Sequence, residues 1–120
     1  MTVEASCHCS SVRFAVEVAP ETVTDCNCSI CRRYGVLWAY YAPKAVTFLD
    51  PKGATDTYEW GDRMITFHRC QTCGCVTHWA SKDPDYDRMG VNARLLPLEV
   101  RAEAKTQYLD GAGTEAYVED

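Results

Sequence analysis

The stretch Cys70-Gln71-Thr72-Cys73-Gly74-Cys75 decides how this chain is read. Its first two cysteines flank a tight turn, and the glycine after them accepts backbone angles that a residue with a Cβ resists. Backbone N–H groups in such a turn can face the sulfurs and stabilise thiolate charge. The turn is half of a tetrahedral metal site and needs its other half from elsewhere. Two more clusters lie upstream, Cys7-His8-Cys9 and Cys26-Asn27-Cys28-Ser29-Ile30-Cys31. Cysteines one or two residues apart bring their sulfurs within reach of one ion, and they are poorly set to bridge each other as disulfides.

Eight cysteines in 120 residues would also suit a disulfide scaffold in an oxidising compartment. The N-terminus, Met1 to Ser6, has no basic stretch followed by an apolar run, so it does not read as a secretory signal. A reducing cytoplasmic location is expected, and with it metal ligation. The cysteine runs of ferredoxin-type iron–sulfur proteins do not occur. The expected ion is zinc. A formal net charge of −5 argues against a nucleic-acid partner, and no apolar run reaches the length of a membrane span. With no linker, repeat or low-complexity stretch, residues 1–120 read as one domain. A core this small gains folding free energy from any metal that only the folded state binds.

Outward from the cysteines the chain reads as short strands. In Ser11 to Val18 the residues Val12, Phe14, Val16 and Val18 alternate with Arg13 and Glu17, the period of a half-buried strand. Thr22 to Cys26, Val36 to Ala42, Ala45 to Leu49, Thr55 to Trp60, Met64 to His68, Val76 to Ala80 and Arg88 to Leu96 are further strands, most of them bounded by Gly, Pro or Asp. Leu98 to Lys105 fits a strand by alternation or a short helix by propensity. The polar tail, 111–120, is expected to be loose. The fold class is all-β, built of short antiparallel strands stabilised by zinc, with one turn of helix after Cys28.

Residues i and i+2 of a strand share a face, so Cys7 and Cys9 can form half a chelate. Cys26, Cys28 and Cys31 differ in kind: three thiols in one segment leave a tetrahedral position open, as in catalytic zinc sites. If Ser29 starts a helical turn, its free N–H groups favour thiolate at Cys28 and Cys31. Spacing leaves the partition open, because Cys28 and Cys31 with Cys70 and Cys73 would also make a four-cysteine ribbon site. Cys75 is either a fourth ligand of the second site or a small buried hydrophobe; the second reading is preferred.

The three clusters in order resemble the glutathione-dependent formaldehyde-activating family, which includes the centromere protein V relatives. The matching stretches are Cys7 to Phe14, Cys26 to Gly35 and Phe67 to Gly74, with Val91 to Leu96 resembling the family's closing strand. The resemblance implies a β-tent fold with two zinc ions. It implies a structural site at Cys7, Cys9, Cys70 and Cys73, and a catalytic-type site at Cys26, Cys28 and Cys31 that engages the thiol of glutathione. The implied activity is that of a carbon–sulfur lyase of the S-(hydroxymethyl)glutathione synthase kind, acting on a small thiol and an aldehyde.

The remaining candidates are weighed against plainer roles. Arg32 and Arg33 follow the open cluster and would meet a substrate anion or lie solvated beside thiolate charge. His8, His68 and His78 are read as strand-surface residues, and Trp38, Tyr40 and Tyr41 as core in preference to pocket wall. Asn92 and Arg94 carry no inferred chemistry. Two readings compete with the lyase. One is a zinc-stabilised binding module, and the other is a thiol redox sensor using Cys26, Cys28 and Cys31. The sequence carries no signal of oligomeric state.

Overall fold

A computed structural model of the protein describes residues 2–49 and 53–118. Along the chain run β1 (Val3–Ser6), β2 (Arg13–Val16), β3 (Thr22–Cys26), α1 (Cys31–Tyr34), β4 (Trp38–Tyr41), β5 (Val46–Phe48), β6 (Thr55–Tyr58) and β7 (Ile65–Cys70). Then follow β8 (Val76–Ser81), β9 (Met89–Asn92), α2 (Leu98–Glu103), β10 (Lys105–Leu109) and β11 (Tyr117–Val118). The protein is mostly β. One sheet has the order β1-β2-β5, and the other β11-β10-β3-β4-β9-β8-β7-β6. Among the described residues, no helix is long and apolar enough to cross a membrane.

Strand β2 keeps the expected alternation: Val12, Phe14 and Val16 are fully buried and Arg13 is exposed. Each such side chain contributes about 1.5–3 kcal/mol by leaving water. Val16 pairs with both Val3 and Val46, and the sheet stops there. Val18, expected in the core, lies beyond that edge and is 60% exposed. β1 was not marked by any alternation of its own; it forms because Val3 to Ser6 find β2 as a partner.

In β4 the period of two divides the molecule. Leu37 and Ala39 join Phe14, Val23 and Val91 in the main core. Trp38 packs on the other side with Phe67, Trp79, Cys26 and Cys31, and Tyr40 lies against that cluster. Tyr41 returns to the main core and its hydroxyl donates to the Val18 carbonyl at 2.8 Å.

Several expectations change on contact with tertiary structure. The strands are not all antiparallel: β3 runs parallel to β10, from Thr22 opposite Lys105 to Cys26 opposite Leu109. The ambiguous segment is both things in turn, the helix α2 and then the strand β10. The expected strand Arg88 to Leu96 ends at Asn92, whose side-chain oxygen accepts from the Arg94 N–H at 3.1 Å and turns the chain into a 3₁₀ turn at Ala93–Leu95. His78 is buried, not a surface residue. It stacks on half-buried His68 at 4.1 Å and sits 4.4 Å from Phe48. Burial, and then His68, push its pKa down to about 3, so it is neutral in the fold.

The tail is also better tied than its composition suggests. Asp110 accepts from the Asn27 side-chain amide at 2.9 Å and from the N–H and hydroxyl of Thr114. The chain then returns to pair β11 with β10. Residues 119–120 of the expected loose tail lie outside the described residues, as does Met1.

Candidate metal centres and an aromatic pocket

Cys7 follows β1 and Cys70 ends β7, so the two sheets deliver one cysteine each to the same place. The turn after Cys7 is closed by the Cys7 N–H donating to Val12 at 3.0 Å, and it carries Cys9 around. The turn after Cys70 is closed by Gly74 N–H donating to the Cys70 carbonyl at 2.9 Å. Gly74 has φ of +81°, a left-handed conformation that supplies the reason for glycine there. Backbone N–H groups face the sulfurs as expected: Val12 to Cys7 at 3.3 Å, and Thr72 and Cys73 to Cys70 at 3.4 Å each.

The four sulfurs of Cys7, Cys9, Cys70 and Cys73 lie within 4.8 Å of one another. Cys9 is 3.7 Å from Cys7 and 3.6 Å from Cys70, sulfur to sulfur. A tetrahedron with Zn–S bonds of about 2.3 Å has edges of about 3.8 Å, so the donor set fits that ion. The thiols are not alike. A backbone N–H from Cys75, with further N–H and thiol donors, draws the Cys73 pKa down to about 5. Burial pushes Cys7 up to about 11.

Cys26 ends β3, Cys28 follows in the turn, and Cys31 opens α1. Their sulfurs again lie within 4.8 Å of one another. The helix begins at Cys31 and not at Ser29, with no side-chain cap. Cys31 Sγ accepts from the Trp38 indole N–H at 3.2 Å. Burial raises the pKa of Cys26 and of Cys31. Burial acts on Cys28 too, but donation from the Cys31 N–H and neighbouring groups outweighs it and the pKa falls. Three sulfurs with unequal proton affinity, all on one face, suit the same ion with one position left for another ligand.

The alternative ribbon pairing of Cys28 and Cys31 with Cys70 and Cys73 does not occur. Cys75 packs beside Cys7, Val12 and Cys70, so it is no fourth ligand of the second group. It belongs to neither set.

Over the second group lies a cavity of about 410 Å³, lined by the three cysteines together with Trp38, Tyr40, Trp60, Phe67 and Trp79. Asp62 is the one charged residue of that lining. Trp38 and Tyr40 therefore line this cavity as well as packing in the core, and Tyr41 does not line it. Ile30 and Trp60 also line a neighbouring groove with Arg33, Arg69, Tyr34 and Tyr58. Arg33 donates to the Ser29 carbonyl at 2.7 Å, which holds it there. Arg32 is exposed and lines neither. Asn92 and Arg94 brace the frame, donating to the carbonyls of Val76 and Gly35 at 2.8 Å each.

The second group also meets the C-terminal loop. A Cβ built on Gly111 would fall 2.7 Å from Cys26 Sγ and 3.0 Å from Cys28 Cβ, closer than packing allows. The sequence reading missed Trp60, Arg69, Phe67, Trp79 and Gly111. The run Tyr58-Glu59-Trp60-Gly61-Asp62, aromatic and turn-forming at once, was the available signal for the pocket's outer wall.

The family described as glutathione-dependent formaldehyde-activating enzyme matches residues 2–109, which include both cysteine groups. The chain belongs to that family. No curated protein matches it. The crystal structure of a Rhodobacter sphaeroides protein is similar, with 26% identity and a TM-score of 0.71 over 86% of this chain and 98% of that one. Residues 110–118, which carry Gly111 and β11, lie beyond the stretch that the formaldehyde-activating family matches.

Proposed function

We propose that this member of the formaldehyde-activating family is a zinc-dependent carbon–sulfur lyase that joins a thiol such as glutathione to an aldehyde. The observation that carries the reading is the three-cysteine group facing an aromatic cavity, with no fourth Cys, His, Asp or Glu in the group among the described residues. The first group, closed by four cysteines, is the structural one in this reading. A zinc ion held by Cys26, Cys28 and Cys31 would keep a substrate thiol deprotonated at neutral pH.

The chain's own residues do the rest. The Trp38 N–H holds Cys31 Sγ in place and offsets part of its charge, as outer hydrogen bonds do for metal ligands. The aromatic walls restrict the direction of approach to the reacting atoms, so the gain is one of positioning. Arg33 and Arg69 in the adjoining groove suit a carboxylate of the thiol substrate. Arg32 has no part in this.

In the reaction the S–H proton leaves, the sulfur pair forms a bond to the carbonyl carbon, the C=O π pair moves to oxygen, and oxygen takes a proton. Nothing is oxidised or reduced. A reducing cytoplasm suits such thiols.

Glutathione should raise the melting temperature of the zinc-loaded protein in a concentration-dependent way. Formation of S-hydroxymethylglutathione from formaldehyde should run faster than in buffer, and Cys28→Ser should remove both effects. A flat melting response at millimolar glutathione, with condensation of neither formaldehyde nor a larger aldehyde faster than in buffer, rejects this function.

A further inference from the structure

The cavity over the second cysteine group is larger and more apolar than the smallest aldehyde needs. Formaldehyde has two heavy atoms and occupies space comparable to one or two waters, which take roughly 30 Å³ each. The cavity measures about 410 Å³, inside the range of roughly 300–1,000 Å³ that holds much larger organic ligands. The charged arms of a peptide thiol do not suit the remaining space, because polar groups lose their water against aromatic walls without finding partners. Those arms have Arg33 and Arg69 next door.

The walls are also held in place before any ligand arrives. Trp38 packs on Phe67 with centroids 6.2 Å apart, and Tyr40 meets Trp79 edge-on at 6.2 Å. The Trp38 N–H is already given to Cys31 Sγ. Asp62 Oδ1 already accepts from the Met64 N–H at 3.1 Å. Trp60 follows Glu59, which is pinned by Lys82 at 2.7 Å and by the Thr66 hydroxyl at 2.9 Å. What these walls offer a ligand is mostly ring face and ring edge, with Asp62 as the one charged group.

We infer that the carbonyl substrate carries an apolar group of about the size of a phenyl ring, seated among Trp38, Trp60, Phe67 and Trp79. This rests on the thiol–aldehyde reading above and names its second substrate. The bond changes are those already given, with hydrogen on the aldehyde carbon replaced by the apolar group. The product is a hemithioacetal.

All three tryptophans of the chain line this cavity, so their fluorescence reports its occupancy directly. The zinc-loaded protein is titrated with phenylacetamide, an unreactive carbonyl of the proposed shape, and with acetamide. Phenylacetamide should give a saturable change at a concentration about tenfold or more below acetamide, since only it buries a ring. Adduct formation with glutathione is then compared for phenylacetaldehyde and formaldehyde, where the larger aldehyde should have the higher kcat/KM. Trp60→Ala, at a residue 45% exposed and so safe for the fold, should cut that preference severalfold.

Equal binding of the two amides, binding of neither, formaldehyde as the better substrate, or an unchanged preference in Trp60→Ala would each overturn the inference. Formaldehyde turnover without preference for the larger aldehyde leaves the lyase function standing. Tight phenylacetamide binding with neither aldehyde accelerated removes the lyase function and keeps the ligand class.

Discussion

The four-cysteine group collects its donors from two turns, with Cys9 and Cys70 separated by 61 positions, whereas the three-cysteine group takes all of its donors from Cys26 to Cys31. The same side chain thus occurs in two different settings. A cross-link closing a loop as long as the first restricts the unfolded chain by on the order of 4 kcal/mol, beyond the bonds to the ion themselves. A ligand set drawn from one turn closes no such loop. It has instead a cavity over it and a closely packed loop against it. Connectivity suits the first group to fasten the fold, and its surroundings suit the second to take a ligand.

The largest effect should come from cutting the fastener. Cys73→Ser should abolish cooperative unfolding by circular dichroism at room temperature, because structural zinc in small domains is worth about 10 kcal/mol or more of folding free energy. A soluble, normally folded Cys73→Ser protein would erase the distinction between the two groups. Next comes Cys28→Ser, which should lose one of two zinc equivalents while its melting temperature falls by less than about 10 °C. Metal content and thermal melts on the same sample check this. Collapse as complete as that of Cys73→Ser would make both groups structural.

The smallest effect sharpens the comparison from outside the ligands. Gly111→Ala places a methyl 2.7 Å from Cys26 Sγ, so the loop or the sulfur must shift. Chelator competition should then show zinc at the second group held about tenfold more weakly, within the range seen when groups behind metal ligands are altered. The first group should be unchanged. Equal affinity in wild type and Gly111→Ala would show that the loop merely rests there.

How much of this could be read beforehand follows from what each feature depends on. The knuckle at Cys70 to Gly74 and the strand alternation from Val12 to Val16 are local, and local chemistry determines both. The sorting of seven cysteines into two groups needed order along the whole chain, since spacing alone also allowed Cys28 and Cys31 to join Cys70 and Cys73. The pocket was hidden because Trp79 and Phe67 reach Trp38 only through the β4-β9-β8-β7 order of the sheet. His78 misled for a similar reason: its position on β8 looked like a surface site until His68 and Phe48 closed over it. The tail misled through composition. Its glycines and acids read as loose, yet Asp110 accepts from Asn27, Gly113, Thr114 and Glu115 and closes a hydrogen-bonded loop there.

The parallel pairing of β3 with β10 has a consequence for how the protein is born. Synthesis proceeds at about 5–20 residues per second. Cys26 emerges from the ribosome well before Leu109, its neighbour across the strand pair, so the strand that presents the second group waits several seconds for its edge. Cys7 and Cys9 wait in the same way for Cys70 and Cys73. During that interval the early thiols lack their later partners, and a reducing surrounding with available metal would protect them from the wrong ones. The pocket, which needs β3, β4, β7 and β8 together, has all of its strands once β8 has emerged, after Cys70 and Cys73 and before β10.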